Sequence, residues 1–329
     1  MLDSKEVGTA IVTGGTGFIG SNLVKRLICE KWEVHIIVRP TSELEQLKEV
    51  INLIHIHIYD GSIESLFEIF ELSQPTIVLH LASLFLAQHT SIDIAPMIHS
   101  NLTFATQLIE VMVSKNVYKL INTGTSWQHY ENKDYSPVCL YAATKQAFEA
   151  ILQFYLETTP LQAITLKLFD SYGANDPRQK LFALLEQASN RQEILAMSPG
   201  EQKINLVYVE DIIDAYFVAI EKLITGLNNY HEIYAVGGNI THSLHEIVSI
   251  YEEEIGRKLP IEWGKRPYRA REVMETWSRG IAIEGWQPQV SLREGIRRIE
   301  LVNETGGNSP SSRERSDEQS KACSEAGRG

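Results

Sequence analysis

The chain has 329 residues, of which 43% are hydrophobic and 22% are charged, a balance typical of a globular protein with a sizeable core. Its formal net charge of -12 argues against a nucleic-acid partner, because such proteins carry a basic patch. No uninterrupted apolar run approaches the length of a membrane span, so no membrane partner is expected.

Strand-like and helix-like segments alternate through the first half of the chain. The predicted strands are 9–13, 34–38, 53–58, 76–81 and 119–123, and the predicted helices are 18–30, 101–113 and 141–157. This alternation indicates an α/β fold with a doubly wound parallel sheet, covered on both faces and binding ligands at the carboxyl ends of its strands. We therefore predict a dinucleotide-binding (Rossmann) domain at residues 1–169.

The pattern becomes less regular after Phe169. The predicted elements here are a loop at 170–177, a helix at 180–190, and strands at 204–209 and 234–236. We interpret residues 170–302 as mainly a smaller, interleaved substrate lobe, with late strands of the large sheet around 204–236. Residues 303–329 shift to Gly, Ser, Glu and Arg without apolar periodicity, which predicts a disordered tail.

A glycine-rich turn stands between the first predicted strand and the first predicted helix. Gly14 would allow a tight turn, Gly17 a close approach of the backbone to a pyrophosphate, and Gly20 close packing of the helix on the strand. The free N–H groups and the positive end of the helix dipole would then face the anion. This strand–turn–helix placement favours a nucleotide site over a simple turn.

A Tyr-x-x-x-Lys pair opens the predicted helix after residue 140. Tyr141 and Lys145 would lie on the same helix face. A phenol has a pKa of about 10, and a nearby cation would lower it, which suits proton transfer at a carbinol or carbonyl oxygen. The competing interpretation is a chance spacing, but the upstream glycine turn favours catalysis. Thr125, after the strand at 119–123, is predicted to orient the reacting oxygen, and Ser126 is the alternative. The competing interpretation is that these residues form a simple turn without a catalytic role.

These motifs together resemble the extended short-chain dehydrogenase/reductases, and within them the NAD(P)-dependent nucleotide-sugar epimerase/dehydratase family. The resemblance spans roughly residues 8–300, and its motifs occur in the family's order. Besides the Thr-Gly-x-x-Gly-x-x-Gly and Tyr-x-x-x-Lys motifs, it rests on Asp60-Gly61, His80-Leu81-Ala82-Ser83, Leu206-Val207-Tyr208-Val209-Glu210-Asp211 and Tyr268-Arg269-Ala270-Arg271-Glu272.

The family resemblance implies roles for individual residues. Catalysis would fall to Thr125, Tyr141 and Lys145. The implied cofactor site comprises Gly14, Gly17, Phe18, Ile19, Gly20, Asp60, Gly61, Leu81, Ala82, Ser83, Tyr141 and Lys145. The implied nucleotide-sugar site comprises Ser83, Thr125, Ser126, Asp170, Arg178, Lys180 and Arg269. Two positions depart from the family: Asp170 stands where it has Asn, and Ile204 where it has Arg.

The end of the second predicted strand discriminates between cofactors. An acidic residue there would accept hydrogen bonds from the ribose hydroxyls of NAD. Here Arg39 is followed by Thr41 and Ser42, which suits the additional 2′-phosphate of NADP. The competing interpretation is a solvated arginine at a strand end, so NADP is the predicted cofactor and NAD the alternative.

The choice of cofactor bears on the reaction. Family members that return the hydride to the same substrate mostly retain NAD, whereas reductases consume NADPH. The family's 4,6-dehydratases carry an Asp-Glu pair after the catalytic threonine, and Ser126-Trp127 replaces it here. Residues 175–181 and 271–277 resemble reductases of CDP-linked 4-keto-3,6-dideoxyhexoses. We therefore expect NADPH-dependent reduction of the C4 ketone of a nucleotide-linked 4-keto-deoxyhexose. An NAD-dependent nucleotide-sugar 4-epimerase is the alternative, and a non-catalytic NAD(P)-sensing protein is a further one.

The remaining expectations concern metals, location and assembly. His55 and His57 alternate along a predicted strand and are expected to form one edge face, so no metal site is predicted. The cysteines lack paired or metal-like spacing and residues 1–10 do not resemble a signal peptide, which predicts a cytoplasmic protein without a disulfide framework. The helices at 101–113 and 141–157 resemble those that pair in family dimers, which implies a homodimer.

Overall fold

The protein is described here from a computed structural model, which covers residues 8–227 and 229–306. The strands are β1 Thr9–Thr13, β2 Glu33–Val38, β3 His55–Ile58, β4 Ile77–His80, β5 Lys119–Thr125, β6 Gln162–Leu168, β7 Asp170–Tyr172, β8 Leu195–Ala196, β9 Lys203–Tyr208, β10 His231–Val236, β11 Thr241–Ser243 and β12 Ile261–Glu262. The helices are α1 Phe18–Cys29, α2 Ile63–Ser73, α3 Ile94–Ile98, α4 Phe104–Ser114, α5 Leu140–Thr158, α6 Leu181–Arg191, α7 Val209–Thr225, α8 Leu244–Ile255 and α9 Leu292–Gly306. None of these helices is both long and apolar enough to cross a lipid bilayer.

Seven parallel strands form the main sheet in the order β10-β6-β5-β4-β1-β2-β3. The order of the chain reverses between β1 and β4, so the crossovers diverge there and leave a crevice at the carboxyl ends of those strands. The Rossmann-type doubly wound sheet expected from the sequence is confirmed.

The inner strands of this sheet are buried on both faces, whereas the edge strand β3 is largely exposed. In β1, Ala10 and Val12 pack with α1 and α7 on one face, whereas Ile11 packs with α2, α4 and α5 on the other. This follows from the period-two alternation of side chains along a strand. Two apolar cores hold the sheet and leave the turns after its strands free to form a site.

The second half of the chain differs from the prediction at two strands. Residues 170–172, predicted as a loop, form β7, and β9 pairs with β7 and β11 in a separate three-stranded sheet. The strand at 204–209 is therefore not a late strand of the main sheet, whereas β10 is. The loop prediction for residues 170–172 failed because these residues form a strand only by pairing with β9, more than thirty positions later in the sequence.

Two further expectations need correction or fall outside the description. Residues 303–306 complete α9, so the predicted disordered tail begins too early, and its remainder, 307–329, lies outside the described residues. The expectation of no disulfide framework depends partly on Cys323, which lies outside the described residues, whereas Cys139 carries a free thiol.

A third core holds the smaller lobe together. Its buried members include Leu185 of α6, Val248 and Tyr251 of α8, and Ile296 of α9. Helix α8 begins with a capping box, in which Ser243 and Glu246 each accept a hydrogen bond from the other's backbone N–H. The lobe supplies the second wall of the site.

Candidate active site

The glycine turn after β1 has the geometry that its spacing predicts. Gly14 has φ of 72°, and a Cβ there would lie 2.6 Å from the backbone nitrogen of Ala82. A Cβ on Gly20 would lie 2.1 Å from the Gly14 oxygen, so the helix can begin here only with glycine. At Gly17 a Cβ would approach only that same oxygen, at 3.3 Å, and would otherwise enter open space. The turn is thus closed by packing at two glycines and open to a ligand at the third.

A cavity of about 240 Å³ adjoins this turn. The predicted site residues that line it are Gly14, Gly17, Phe18, Ile19, Gly20, Leu81, Ser83, Thr125, Tyr141, Lys145, Asp170, Arg178 and Lys180. The structure therefore brings the glycine turn and the three predicted catalytic residues to one cavity.

A nicotinamide dinucleotide fits the chemistry of this cavity. The open face of Gly17 and the start of α1 offer backbone N–H groups to a pyrophosphate. The buried Ser83 Oγ lies beside the Tyr141 hydroxyl but makes no hydrogen bond of full geometry among the described residues. Buried hydroxyls normally have a partner, so a polar ligand in the cavity would complete its hydrogen bonding.

The predicted catalytic residues converge at the carboxyl end of β5. Tyr141 and Lys145 lie one turn apart in α5 and are both buried, and Thr125 ends β5. The Thr125 Oγ1 accepts a hydrogen bond from Trp127 N at 3.3 Å, which leaves its proton free for a ligand oxygen.

The pKa of Tyr141 departs from the sequence-based expectation. Burial raises the pKa of this phenol above its ordinary value, and the nearby Ser83 hydroxyl only partly opposes that effect. Burial also lowers the pKa of Lys145 to about 8. In the protein alone Tyr141 is therefore held as a neutral phenol, which suits a proton donor better than a base.

A buried polar network lies behind the predicted catalytic residues, and sequence reasoning did not find it. Glu149, one turn beyond Lys145, raises the pKa of that lysine. Its carboxylate accepts a hydrogen bond from Gln128 Nε2 at 2.9 Å and pairs with Lys167 Nζ at 3.3 Å. Gln128 Oε1 in turn accepts a hydrogen bond from Thr125 N at 3.0 Å. The network ties the threonine turn to the helix of the tyrosine and the lysine.

A larger cavity of about 430 Å³ opens between the main sheet and the smaller lobe. Five of the predicted substrate residues line it: Ser126, Asp170, Arg178, Lys180 and Arg269. The other two, Ser83 and Thr125, line the adjacent cavity described above, which also includes Asp170, Arg178 and Lys180. The two cavities therefore share a wall.

The arginines of the larger cavity are held by carboxylates. Arg178 donates to Asp176 through Nε and Nη2, both at 2.6 Å, and Arg269 Nη2 lies 2.6 Å from Glu272 Oε1. Such forked pairs fix the planes of both guanidinium groups. Lys180 is largely buried, and burial lowers its pKa. The cavity thus presents cations whose charge is already partly compensated.

Aromatic side chains form the apolar part of the larger cavity. His129 stacks on Trp277 with ring centroids 4.1 Å apart, and Arg269 lies over the Trp127 ring, 5.2 Å from its centroid. Flat rings of this kind suit a nucleobase or a sugar face. Trp277 lies in the stretch 271–277 that resembles the reductases, but its contact with His129 forms only in the folded chain.

Four predicted cofactor residues lie outside the two cavities: Arg39, Asp60, Gly61 and Ala82. Arg39 is exposed immediately after β2, where its backbone N–H donates to Ser42 Oγ at 3.0 Å. The Asp60 carboxylate accepts hydrogen bonds from Ser62 N and Oγ ahead of α2. Arg39 and Asp60 follow neighbouring strands at the sheet edge that also carries the glycine turn.

Sheet topology, glycine turn and catalytic helix together define a class: enzymes of the extended short-chain dehydrogenase/reductase type. Comparison with known sequences then identifies the family. The chain belongs to the NAD-dependent epimerase/dehydratase family, whose sequence profile matches residues 10–237.

Individual relatives agree with this assignment. The CDP-abequose synthase of Yersinia pseudotuberculosis is 31% identical over 268 residues, which cover 80% of this chain and 90% of that protein. The UDP-glucuronate 4-epimerase of Thermodesulfobacterium geofontis is 26% identical over 313 residues, which cover 89% and 95%. The fold is shared with the Thermus thermophilus UDP-glucose 4-epimerase, solved in complex with NAD, at a TM-score of 0.76 and 23% identity, over 92% of this chain and 100% of that chain.

Proposed function

We propose that this enzyme reduces the C4 ketone of a nucleotide-linked 4-keto-deoxyhexose with NADPH, in deoxysugar biosynthesis. The observation that carries the proposal is the convergence of Thr125, Tyr141 and Lys145 on a cavity between the glycine turn and a cationic second cavity. A reacting carbonyl at their meeting point would have a dinucleotide on one side and a sugar nucleotide on the other.

The chain's own residues would polarise and protonate the ketone, and the dinucleotide supplies the hydride when bound. Thr125 Oγ1 donates a hydrogen bond to the ketone oxygen and stabilises the negative charge that develops there. Tyr141, held as a phenol by burial, gives its proton to the same oxygen. Lys145 holds the nicotinamide ribose, and its ammonium stabilises the tyrosinate that remains.

Arg39 supports NADP as the cofactor. Arg39 directly follows β2, at the edge of the sheet where the cofactor cavity opens, and its side chain is exposed. Its backbone N–H donates a hydrogen bond to Ser42 Oγ, which places that hydroxyl nearby. A 2′-phosphate would form a charge-assisted pair there. Arg39→Ala should lower kcat/KM for NADPH by roughly tenfold to a hundredfold, about 1.5–3 kcal/mol, and leave NADH almost unaffected. An equal loss with both cofactors, or no loss, would contradict this role.

A CDP-linked sugar is the favoured substrate because a relative 31% identical is named CDP-abequose synthase. Arg269, with Arg178 or Lys180, would bind the pyrophosphate, and the aromatic rings of the larger cavity would bind the base or sugar. The decisive assay is NADPH oxidation with CDP-, dTDP- and GDP-linked 4-keto-6-deoxyhexoses, with NADH as the control. Preference for the CDP-linked ketone and NADPH is expected, and turnover of no 4-keto sugar would refute the proposal.

The second candidate is an NAD-dependent nucleotide-sugar 4-epimerase, since a relative 26% identical is named UDP-glucuronate 4-epimerase. An epimerase returns the hydride to its own substrate, so it would retain NAD through purification and consume no added cofactor. Interconversion of UDP-sugars without NADPH oxidation would favour it over the reductase.

We also propose a homodimer that pairs through α4 and α5. On α5, Phe154 is an apolar side chain left 60% exposed. Light scattering on the full chain should give twice the mass of one chain, whereas the mass of a single chain would refute the dimer. Phe154→Glu should then shift the wild-type dimer towards the monomer.

A further inference from the structure

A cluster of metal-binding side chains lies on β2 and β3, at the amino ends of the strands. His35 and His55 are direct neighbours across the two strands, and Glu33 precedes His35 by two residues and so points to the same face. The His35 side chain is 6% exposed, whereas those of Glu33 and His55 are 56% and 60% exposed. One buried and two accessible ligands therefore face one position at the sheet edge.

The spacing of the donor atoms matches a tetrahedral ion. Glu33 Oε1 lies 3.2 Å from His35 Nε2 and 3.6 Å from His55 Nε2. All three atoms lie within 4.8 Å of one another. Ligand atoms bound about 2.0–2.1 Å from Zn²⁺ at tetrahedral angles are about 3.3 Å apart, so an ion could enter with small side-chain movements.

The outer hydrogen bonds of two ligands are already in place. His35 Nδ1 lies 2.8 Å from His57 Nε2, so a proton on Nδ1 can be donated to His57 and leave Nε2 free for a metal. The second carboxylate oxygen of Glu33 accepts a hydrogen bond from Thr9 Oγ1 at 3.2 Å. Such supporting contacts orient metal ligands in proteins.

We propose that Glu33, His35 and His55 bind a divalent transition-metal ion, best matched by Zn²⁺, with water completing the coordination. Two imidazoles and a carboxylate are ligands that Zn²⁺ accepts readily, whereas Mg²⁺ and Ca²⁺ prefer oxygen donors. This proposal departs from the sequence-based expectation that His55 and His57 form one edge face without a metal site.

The site is structural rather than catalytic. Glu33 begins β2 and Arg39 follows its end, so the proposed ion lies roughly 20 Å along the strand from the edge that binds cofactor. An ion held by both β2 and β3 would fasten the edge strand β3, which pairs with the sheet on one side only. Binding should therefore raise the melting temperature of the protein.

A metal-free arrangement competes with this proposal. His57 can donate to His35 and His35 to Glu33, which satisfies these hydrogen bonds without an ion. The test is Zn²⁺ titration of the full-length, untagged protein after chelator treatment, by calorimetry. Tight binding of one ion per chain is expected, whereas a stoichiometry well below one would refute the site.

Surface variants locate the ion without disturbing the core. Glu33→Gln and His55→Gln should each weaken Zn²⁺ binding about a hundredfold and abolish the increase in melting temperature. His89→Gln, at an exposed histidine outside the cluster, is the matched control and should bind as the wild type does. Unchanged binding in Glu33→Gln or His55→Gln would place the ion elsewhere and overturn the proposal.

Discussion

The two cavities of this enzyme are built by different means. The cavity proposed to bind the cofactor (the cofactor cavity) is shaped by backbone: close packing at Gly14 and Gly20 fixes the turn, and Gly17 leaves it open. The cavity proposed to bind the substrate (the substrate cavity) is shaped by charged side chains, among them Arg178 and Arg269. A site made of backbone is rigid before its ligand arrives, whereas a site made of side chains can be rearranged by it.

The charges of the substrate cavity show what such a rearrangement involves. Arg178 is paired with Asp176 and Arg269 with Glu272, and the half-buried Asp170 lies near both arginines. A pyrophosphate must share these cations with the carboxylates that hold them. We infer that the cofactor cavity is ready for its ligand, whereas the substrate cavity exchanges ion pairs on binding.

The largest effect is expected where the two cavities meet. Tyr141→Phe removes the proton donor and should lower kcat by roughly a hundredfold to ten-thousandfold in the NADPH oxidation assay. Cofactor affinity, measured by fluorescence titration, should stay within a few-fold of wild type. Tyr155→Phe is the matched control on the same helix, because its hydroxyl only contacts Glu110. Near-normal turnover by Tyr141→Phe would remove this tyrosine from the mechanism.

The backbone origin of the cofactor cavity can be tested with two alanine variants. Gly20→Ala places a Cβ 2.1 Å from a backbone oxygen and should destabilise the fold by several kcal/mol, measured by urea unfolding. Gly17→Ala meets one atom at 3.3 Å and should keep nearly wild-type stability while weakening cofactor binding about tenfold or more. The comparison fails if both variants unfold alike, or if Gly17→Ala binds the cofactor normally.

The network behind the catalytic residues should set the alkaline limit of activity. The pKa of Lys145 is about 8, so its ammonium is lost, and activity falls, as pH rises through that value. Glu149 raises this pKa, so Glu149→Gln should lower it and move the alkaline limb of kcat/KM to lower pH.

The free energy of unfolding gives a second test of the role of Glu149. Removing this carboxylate takes the ion-pair partner from the buried Lys167 and a nearby negative charge from the buried Lys145, which should cost about 3–5 kcal/mol in the free energy of unfolding. Glu157→Gln, on the exposed face of the same helix, should leave both the pH profile and the stability unchanged. If folded Glu149→Gln keeps the wild-type alkaline limb of kcat/KM, Glu149 does not control the pKa of Lys145.

The smallest effect concerns ion-pair exchange in the substrate cavity. Burial raises the pKa of Asp170, so its repulsive charge is present above the raised pKa and lost as pH falls through it. KM for the sugar nucleotide should therefore fall at acidic pH. Asp170→Asn should lower KM roughly fivefold at neutral pH, about 1 kcal/mol, and remove that pH dependence. A raised KM would instead mean that the carboxylate binds substrate.

Local patterns were sufficient for the backbone-built part of the site. The glycine spacing and the Tyr-x-x-x-Lys pair act within one turn or one helix, so their geometry followed from strand and helix periodicity alone. The seven-stranded sheet was predicted for the same reason, since buried parallel strands alternate with amphipathic helices. Asp170–Tyr172 was misread because its strand partner, Lys203–Tyr208, is distant in sequence.

The amino-acid sequence by itself determined the family, the sheet and the helix that carries Tyr141 and Lys145, because each depends on short-range spacing. Only the tertiary structure decided the protonation of Tyr141, since burial opposes the lowering of its pKa that a neighbouring lysine predicts. It also decided the partners of Glu149, Arg178 and Arg269 and the meeting of Glu33 with His55. Those contacts depend on which elements pack together, and electrostatic interactions act through space rather than along the chain.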